Sequence, residues 1–290
     1  MKVLITGATG FLGKHVYQEL LKKKYTIFAL SRSAQIEDLD FYELDILDHK
    51  KTNTLVENIR PDILIHLAWD VEHEKYWDSS KNIDYELASI NLIEAFIANG
   101  GRKVLAAGTC AEYPELPVLI SENHNSNLDD LSLYGRSKKR VYEHLCLKQQ
   151  VGLEFTWFRI FGIFGCGEDK RRLFPSMVHS ILNNKKPSLR SPNSFYDYVC
   201  VSDLASFIVQ CIEGDALGAV NIGSGTSRSV MDYYEIFESY IRTGRLNLIN
   251  NAQEVDSKSR MPNCQKLSSV TSNFNDSLRR GISSMLETHV

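Results

Sequence analysis

Short apolar, β-branched runs alternate with segments of helical periodicity through the first half of the chain. The predicted strands are 2–6, 25–30, 41–44, 62–67, 103–107 and 154–161. The predicted helices are 11–21, 49–58, 85–99 and 133–149. Runs such as ILIHL at 63–67 are almost continuously apolar, as in strands that are buried on both faces of a parallel sheet. The alternation predicts an α/β fold with a doubly wound parallel sheet.

The pattern loses its regularity after Gly162. We therefore predict an α/β domain over 1–161, whose glycine-rich turn at 6–13 indicates dinucleotide binding, and a smaller, mixed C-terminal region over 162–290, which would then bind the substrate. Within that region, a segment at about 195–225 is expected to return to the main sheet.

Composition excludes several classes of partner. The 290 residues carry a formal net charge of −3, which gives no electrostatic footprint for nucleic acid or an anionic membrane. No apolar run reaches the ~18 residues that span a bilayer, and the N-terminus does not resemble a signal peptide. The six cysteines are scattered and form no zinc spacing, so we expect no metal site and a reducing cytoplasm.

A glycine-rich turn joins the first strand to the first helix, in the sequence TGATGFLG at 6–13. Glycines let the backbone turn tightly and approach a pyrophosphate, and the helix N-terminus offers unpaired N–H groups to the anion. This context predicts a Rossmann-type site for a nicotinamide dinucleotide. The candidate contacts in this turn are Gly7, Thr9, Gly10, Phe11, Leu12 and Gly13.

The end of the second strand predicts which dinucleotide is bound. An acid there would bind the ribose 2′-hydroxyl of NAD, but this chain has Ser31, Arg32 and Ser33. A guanidinium between two hydroxyl groups suits the 2′-phosphate, so NADP(H) is favoured over NAD.

A tyrosine and a lysine open the helix at 133–149. Tyr134 and Lys138 are four residues apart and share a helix face. An adjacent ammonium is expected to lower the pKa of the phenol toward the working range of a proton relay. Thr109, at the end of the fifth strand, supplies a hydroxyl that can bind a carbonyl oxygen at the same sheet edge.

These motifs together resemble the extended short-chain dehydrogenase/reductases, in the branch of nucleotide-sugar epimerases, dehydratases and reductases. Its further markers in this chain are Asp45, HLA at 66–68, Tyr113, RIFGIFG at 159–165, YDYVCVSDLA at 196–205 and NIGSG at 221–225. The resemblance implies that Tyr134 is the general acid/base, that Lys138 holds the nicotinamide ribose, and that Thr109 completes a triad. It also implies adenine contacts from Asp45 and Ile46, a dinucleotide path lined by Leu67 and Ala68, and a homodimer.

The positions after Thr109 limit the chemistry. Dehydratases of the family carry acids where this chain has Cys110 and Ala111. Double epimerases of the family carry a cysteine at the position of Ala111, so this chain differs from them as well. We therefore expect NADPH-dependent reduction of the C4 keto group of a nucleotide-linked 4-keto-6-deoxyhexose, for deoxysugar and lipopolysaccharide synthesis. An NAD-dependent nucleotide-sugar 4-epimerase and a non-catalytic, NADP-binding regulator remain alternatives.

The nucleotide-linked sugar is expected to contact residues from both halves of the chain. Relatives carry an arginine at Tyr196 that clamps the diphosphate, and Arg190 or Arg260 could replace it. Trp69 follows HLA and could narrow the pocket or stack on a ring, and Cys110 adjoins Thr109. These five residues are the predicted substrate contacts.

Overall fold

The computed structural model describes residues 1–32, 41–72, 75–115, 119–248, 260–272, 274 and 276–287. Its strands in chain order are β1 (Lys2–Thr6), β2 (Thr26–Ser31), β3 (Phe41–Glu43), β4 (Ile63–His66), β5 (Lys103–Thr109), β6 (Leu119–Ile120), β7 (Glu154–Ile160), β8 (Ile163–Phe164), β9 (Phe195–Tyr196), β10 (Val199–Cys200), β11 (Gly218–Ile222), β12 (Arg228–Ser229) and β13 (Met261–Pro262). Its α-helices are α1 (Phe11–Leu21), α2 (His49–Ile59), α3 (Lys81–Ala98), α4 (Leu133–Gln149), α5 (Leu173–Leu182), α6 (Val201–Gln210), α7 (Val230–Thr243), α8 (Gln265–Val270) and α9 (Ser277–Glu287).

Seven strands form the main sheet in the order β11-β7-β5-β4-β1-β2-β3. β1 pairs in parallel with both β2 and β4, with Val3 opposite Ile27 on one side and Ile63 on the other. The chain therefore runs outward through β2 and β3 and then crosses back to β4. Such a reversal makes a crevice at the carboxyl ends of β1 and β4, where open α/β sheets bind ligands. The predicted α/β fold with a doubly wound sheet is confirmed.

The core explains why these segments form the sheet. Leu4, Leu64 and Val104 come from three neighbouring strands and have no solvent exposure. They share one apolar cluster with Leu92 of α3 and Val141 of α4. Burial on this scale removes the apolar strands from water and stabilises the sheet by about 25 cal/mol for each Å² of apolar surface buried.

Helix ends follow local capping chemistry. The Asp48 side chain accepts a hydrogen bond from Lys51 N at 3.1 Å and begins α2, and Ser132 accepts from Gly135 N at 3.2 Å and begins α4. Side-chain oxygens at this position satisfy N–H groups that have no partner within the helix.

The chain divides into two units that interleave along the sequence. The first unit contains residues 1–113, 125–159 and 205–220, and the second contains 114–124, 160–204 and 221–290. The chain passes from the first unit to the second between residues 159 and 160, next to the predicted boundary at 161, and it crosses between the two units at four other points. β11, which lies within the segment at 195–225, is the edge strand of the main sheet beside β7. The assignment of one region to the cofactor and the other to the substrate stays a prediction.

The second unit has its own aromatic core. Phe174 of α5 stacks on Phe237 of α7 with ring centroids 5.0 Å apart, and Phe164 lies 4.6 Å from Phe174. Arg280 of α9 donates to Asp203 of α6 at 2.7 Å, which fixes these two helices together.

In the part of the chain described above, no helix has the length and apolarity to cross a bilayer.

Residues 195–200 contain two short strands, β9 and β10, on either side of a buried Asp197. The Asp197 carboxylate accepts from Ser224 N at 2.7 Å and Gly225 N at 2.8 Å, so it binds the turn of the NIGSG segment instead of continuing a ladder. The helix expected to begin at residue 85 begins at Lys81.

Candidate active site

The glycine turn has the shape that a dinucleotide pyrophosphate requires. A Cβ at Gly7, which has φ +71°, would lie 2.8 Å from Ala68 N, and one at Gly13 would lie 2.0 Å from Gly7 O. Both contacts are far too short for a side chain, so only glycine allows this backbone approach. Gly10 begins α1 without any side-chain cap, which leaves the first N–H groups of the helix available to an anion. These observations fit the predicted cofactor.

The remaining cofactor candidates of this turn lie near its surface. Thr9 Oγ1 and Ser31 Oγ are hydrogen-bonded at 2.7 Å, which ties the turn to the end of β2. Phe11 and Leu12 are half-buried in the first turn of α1. Thr9 and Ser31 thus present a pair of hydroxyl groups beside the glycine turn.

Arg32 follows β2 directly and is exposed. Its charge, together with that of Lys81, holds the pKa of Asp70 below its usual range, Lys81 having the larger effect through an ion pair at 2.8 Å. Ser33 lies outside the described residues. Arg32 is therefore placed at the end of β2, where the sequence predicts recognition of the 2′-phosphate.

The other predicted cofactor contacts line the carboxyl ends of β3 and β4. Asp45 Oδ1 accepts from Leu47 N at 3.0 Å, and Ile46 is buried. Leu67 N donates to Thr6 O at 3.3 Å and Ala68 N donates to Thr6 Oγ1 at 3.3 Å. These bonds fix the backbone after β4 against β1, at the switch point of the sheet.

A buried histidine, which the sequence presented only within the HLA motif, supports this backbone. His66 Nδ1 is hydrogen-bonded to Thr6 Oγ1 at 2.8 Å and its Nε2 to Ser89 Oγ at 2.8 Å. Burial lowers the pKa of His66 to about 3, so the ring is neutral and links β1, β4 and α3. In the sequence, His66 is the single polar residue of an otherwise apolar run, and this could have indicated a buried hydrogen-bonding role.

The structure brings Thr109, Tyr134 and Lys138 together. Thr109 ends β5, and hydrogen bonding from its side chain acts on the pKa of the Tyr134 phenol. Lys138 lies one turn further along α4, and its Nζ donates to Ala107 O at 2.8 Å. All three residues are buried, and all three belong to the first unit.

The expected lowering of the Tyr134 pKa is not found. Burial raises the pKa of Tyr134 above its ordinary value of 10.0, the Tyr76 phenol raises it further, and the bond from Thr109 lowers it only in part. Burial lowers the pKa of Lys138 to about 7, against an opposing effect of the Glu112 carboxylate. Both groups are thus shifted toward their neutral forms, because desolvation outweighs their neighbours.

Trp69 contacts the predicted catalytic residues. The Lys138 Nζ lies 3.8 Å from the centroid of the Trp69 ring, a cation–π distance. The indole Nε1 donates to Asn82 Oδ1 at 2.9 Å, which fixes the orientation of the ring. The centroid of the Tyr134 ring lies 6.3 Å from that of the Trp69 ring, with an angle of 70° between the two ring planes. Contact between Trp69 and the substrate stays a prediction.

A buried acid behind Thr109 was not predicted as a site residue. Glu112 Oε1 accepts from Thr109 N at 2.8 Å and from Trp157 Nε1 at 2.9 Å. Its Oε2 accepts from Arg159 Nε at 2.8 Å, and Arg159 donates to Tyr113 Oη at 2.7 Å. The network fixes the backbone that carries Thr109. The T-x-x-E spacing of Thr109 and Glu112 is that of a capping box and could have indicated the bond between them. The contacts of Glu112 with Trp157 and Arg159 join residues that are far apart in the sequence.

The other predicted substrate contacts fall in different parts of the chain. Cys110 is half-buried in the 3₁₀ turn that follows Thr109, within the first unit. Arg190 is exposed, Tyr196 is 44% exposed, and Arg260 pairs with Glu115 at 3.6 Å, all within the second unit. Their contact with a substrate stays a prediction. Among the described residues, no cluster of three His, Cys, Asp or Glu could hold a metal ion.

Comparison with known proteins agrees with this geometry. Residues 3–223 match the NAD dependent epimerase/dehydratase family. A putative UDP-glucose 4-epimerase of Methanocaldococcus jannaschii is 23% identical over 255 residues, which cover 82% of each chain. A GDP-6-deoxy-D-talose 4-dehydrogenase of Aggregatibacter actinomycetemcomitans is 26% identical over 251 residues, covering 82% of this chain and 78% of the relative.

The fold also matches solved structures. The crystal structure of UDP-glucose 4-epimerase from Thermotoga maritima with UDP-glucose superposes with a TM-score of 0.82 at 20% identity, covering 100% of both chains. At this identity the likeness establishes the fold, and the chemistry rests on the residues of this chain.

Proposed function

The chain belongs to the NAD dependent epimerase/dehydratase family, and from this premise we propose that it reduces the C4 keto group of a nucleotide-linked 4-keto-6-deoxyhexose with NADPH. The observation that carries the proposal is the buried Thr109–Tyr134–Lys138 cluster, with Arg32 at the end of β2. A likeness to epimerases does not decide between the two reactions, since both transfer hydride at C4 of a sugar.

Each residue of the cluster has a role in this reduction. When bound, the reduced dinucleotide supplies the hydride that adds to C4. The Tyr134 phenol donates its proton to the C4 oxygen, which would otherwise become an alkoxide. The Thr109 hydroxyl donates a hydrogen bond to the same oxygen and stabilises the charge that develops on it. Lys138 would hold the nicotinamide ribose.

The surroundings of Thr109 argue against dehydration. Ala111 is buried and carries no proton, and Cys110 stands where a dehydratase has an acid. The next acid, Glu112, is held in its ion pair with Arg159 and by three further hydrogen bonds. A carboxylate bound in this way is not available as a mobile acid for the loss of water.

Turnover tests the proposal directly. The purified protein is incubated with NADPH and, in turn, with CDP-, dTDP-, GDP- and UDP-linked 4-keto-6-deoxyhexoses, and the absorbance of NADPH is followed. With at least one of them, we expect one NADPH to be oxidised for each sugar reduced, and the matching nucleotide-linked 6-deoxyhexose to form. Consumption of none of the four would contradict the proposal.

Arg32 supports NADPH as the reductant. Removing a charge-assisted contact with the 2′-phosphate costs about 1.5–3 kcal/mol, so Arg32→Ala should weaken NADPH binding by about 10–150-fold and leave NADH binding nearly unchanged. Arg102→Ala is the matched control, because Arg102 is also an exposed arginine, paired with Asp62 at 3.3 Å. Equal affinity of the wild type for NADPH and NADH would contradict the role of Arg32.

A second candidate function is an NAD-dependent nucleotide-sugar 4-epimerase. It is favoured by the relatives and structures described as UDP-glucose 4-epimerases. Interconversion of UDP-glucose and UDP-galactose with retained NAD, and without NADPH consumption, would identify it. The homodimer and the cytoplasmic location that the resemblance and composition imply also stay predictions, and light scattering of the purified protein tests the first.

A further inference from the structure

Two aromatic residues that the sequence did not mark as site residues stand beside Tyr134. The rings of Tyr76 and Trp77 stack with centroids 4.8 Å apart at an interplanar angle of 26°. The Tyr76 ring packs edge-on against the Tyr134 ring, with the ring centroids 4.9 Å apart. The centroid of the Trp77 ring lies 5.9 Å from that of the Tyr134 ring, and the two ring planes are at 90°. The pair therefore borders the phenol that is proposed to donate the proton.

Hydrogen bonds hold the Tyr76–Trp77 pair in place. Tyr134 N donates to Trp77 O at 2.9 Å, which attaches the pair to the first turn of α4. Asn82 Nδ2 donates to Tyr76 O at 2.6 Å, and Leu133 N donates to Asp78 Oδ1 at 3.3 Å. These bonds fix the backbone of the segment, and the stack with Tyr76 restrains the Trp77 ring, so the ring loses little conformational entropy when a ligand binds to it.

Trp77 keeps a large accessible surface. Its exposure is 40%, although Tyr76 covers one of its faces, whereas Tyr134 is only 9% exposed. A fixed, exposed indole next to a buried reacting group provides apolar area for a ligand at the same place. Aromatic faces favour contact with flat apolar groups and with polarised C–H bonds.

We propose that Trp77, backed by Tyr76, is a sugar subsite that stacks against the C–H face of the hexose. The inference rests on the proposed function, which brings the C4 oxygen of the sugar to the Tyr134 phenol, and the pair packs against the ring of this phenol. A 6-deoxyhexose suits the indole, since its C6 methyl group adds apolar surface. The pair is then a determinant of specificity for the sugar part of the substrate and not for its nucleotide.

Binding measurements on nucleotide sugars and on the matching nucleoside diphosphates test the subsite. Calorimetry on the protein saturated with NADP uses dTDP-glucose against dTDP, UDP-glucose against UDP and GDP-mannose against GDP. For a nucleotide sugar that the wild type binds, Trp77→Ala should weaken its binding by about 2–13-fold, the range of one aromatic contact. Binding of the matching diphosphate should stay unchanged.

Two further variants control for indirect effects. Trp77→Phe keeps an aromatic face and should retain most of the affinity for the sugar. Leu147→Ala removes another exposed apolar side chain, 61% exposed on α4, and should change neither affinity. Equal unfolding temperatures of wild type and Trp77→Ala are expected if the fold is intact.

Several outcomes would overturn the subsite. If Trp77→Ala weakened the diphosphate or NADP as much as the nucleotide sugar, the indole would contact the nucleotide or the cofactor. Unchanged affinity for the sugar, or a wild type that binds none of the three nucleotide sugars, would also refute it. Failure of the proposed reduction differs from these outcomes: the sugar would bind through Trp77, but NADPH would not be oxidised.

Discussion

Burial shifts the two ionisable groups of the candidate site in opposite directions. The pKa of Tyr134 is raised, and that of Lys138 is lowered to about 7. A phenol with a raised pKa stays protonated at neutral pH, which is the form that donates a proton during reduction of a carbonyl. An unperturbed phenol is also protonated at this pH, and the raised pKa makes Tyr134 a weaker acid, so the shift by itself favours neither direction of hydride transfer.

Tyr134→Phe should reduce kcat by about 10²–10⁴, the usual contribution of a general acid, because the ring and helix stay while the proton is lost. NADPH binding should stay largely intact, as measured by the fluorescence of bound NADPH. Tyr142→Phe is a comparable change on the same helix, since the Tyr142 ring packs against Trp157 at 6.0 Å, and should keep most of the activity. Wild-type turnover by Tyr134→Phe would show that another group donates the proton.

Lys138 should make stability depend on pH. Its pKa is about 7 in the folded chain and near 10.5 when unfolded, so between these values the unfolded chain binds more protons. The free energy of unfolding gained from this group therefore rises with pH across that window, by at most about 1.4 kcal/mol per pH unit. Urea unfolding at several values between about pH 8 and 10 should show a shallower rise for Lys138→Met than for the wild type.

All other titrating groups are shared by the wild type and Lys138→Met, so the difference between their slopes reports on Lys138. Parallel slopes would mean that the ammonium remains charged within the fold. The cation–π contact with Trp69 stabilises the charged form of Lys138 and so opposes the lowering of its pKa by burial. This contact would explain such a result.

At the scale of elements, the glycine turn and α1 depend on each other. A Cβ at Gly13 would meet Gly7 O at 2.0 Å, so Gly13→Ala must displace the helix from the turn. We expect a loss of about 1–3 kcal/mol in unfolding free energy, as for other overpacked sites, and a loss of measurable NADPH binding. Lys14→Ala, at the exposed neighbouring position, is the control. NADPH binding of wild-type strength by Gly13→Ala would separate this turn from the cofactor.

Hydrophobic periodicity predicted β1 and α4 with the bounds that the structure has. It missed the start of α3, where Asn82 faces inward to bind Trp69 but, as a polar residue, does not count toward an apolar face. The motifs predicted Thr109, Tyr134 and Lys138 as candidate catalytic residues, and these three residues lie together in the structure.

The rest of the candidate site depends on contacts that spacing along the chain does not contain. Glu112 meets Arg159 only because β5 and β7 are neighbours in the sheet. Tyr76 and Trp77 become part of the site only because their segment is bound to the start of α4. The effect of burial on the Tyr134 pKa likewise required the packed surroundings of the phenol.

For the whole molecule, the main sheet needs residues from late in the chain. β11 covers β7 in the sheet, and residues 205–220 belong to the first unit. Lys103 Nζ donates to Gly214 O at 2.6 Å, which adds a contact from β5. A fragment ending at residue 161 would leave the apolar β7 as an open edge, and such edges promote aggregation.

We expect the 1–161 fragment to be recovered mainly as aggregate, and the full chain to unfold cooperatively under the same conditions. Comparison of the soluble fractions after expression, followed by thermal unfolding of any soluble fragment, checks this. A monomeric 1–161 fragment with a sharp unfolding transition would show that β11 is dispensable.

The interleaving of the two units also sets a schedule for synthesis. β7 is complete at residue 160, but its neighbour β11 ends at residue 222. At about 5–20 residues per second, a ribosome needs ~3–12 s to make the intervening segment. During that interval the nascent sheet has an apolar strand without its partner, so slow translation between these points should increase the demand for chaperones that protect emerging chains.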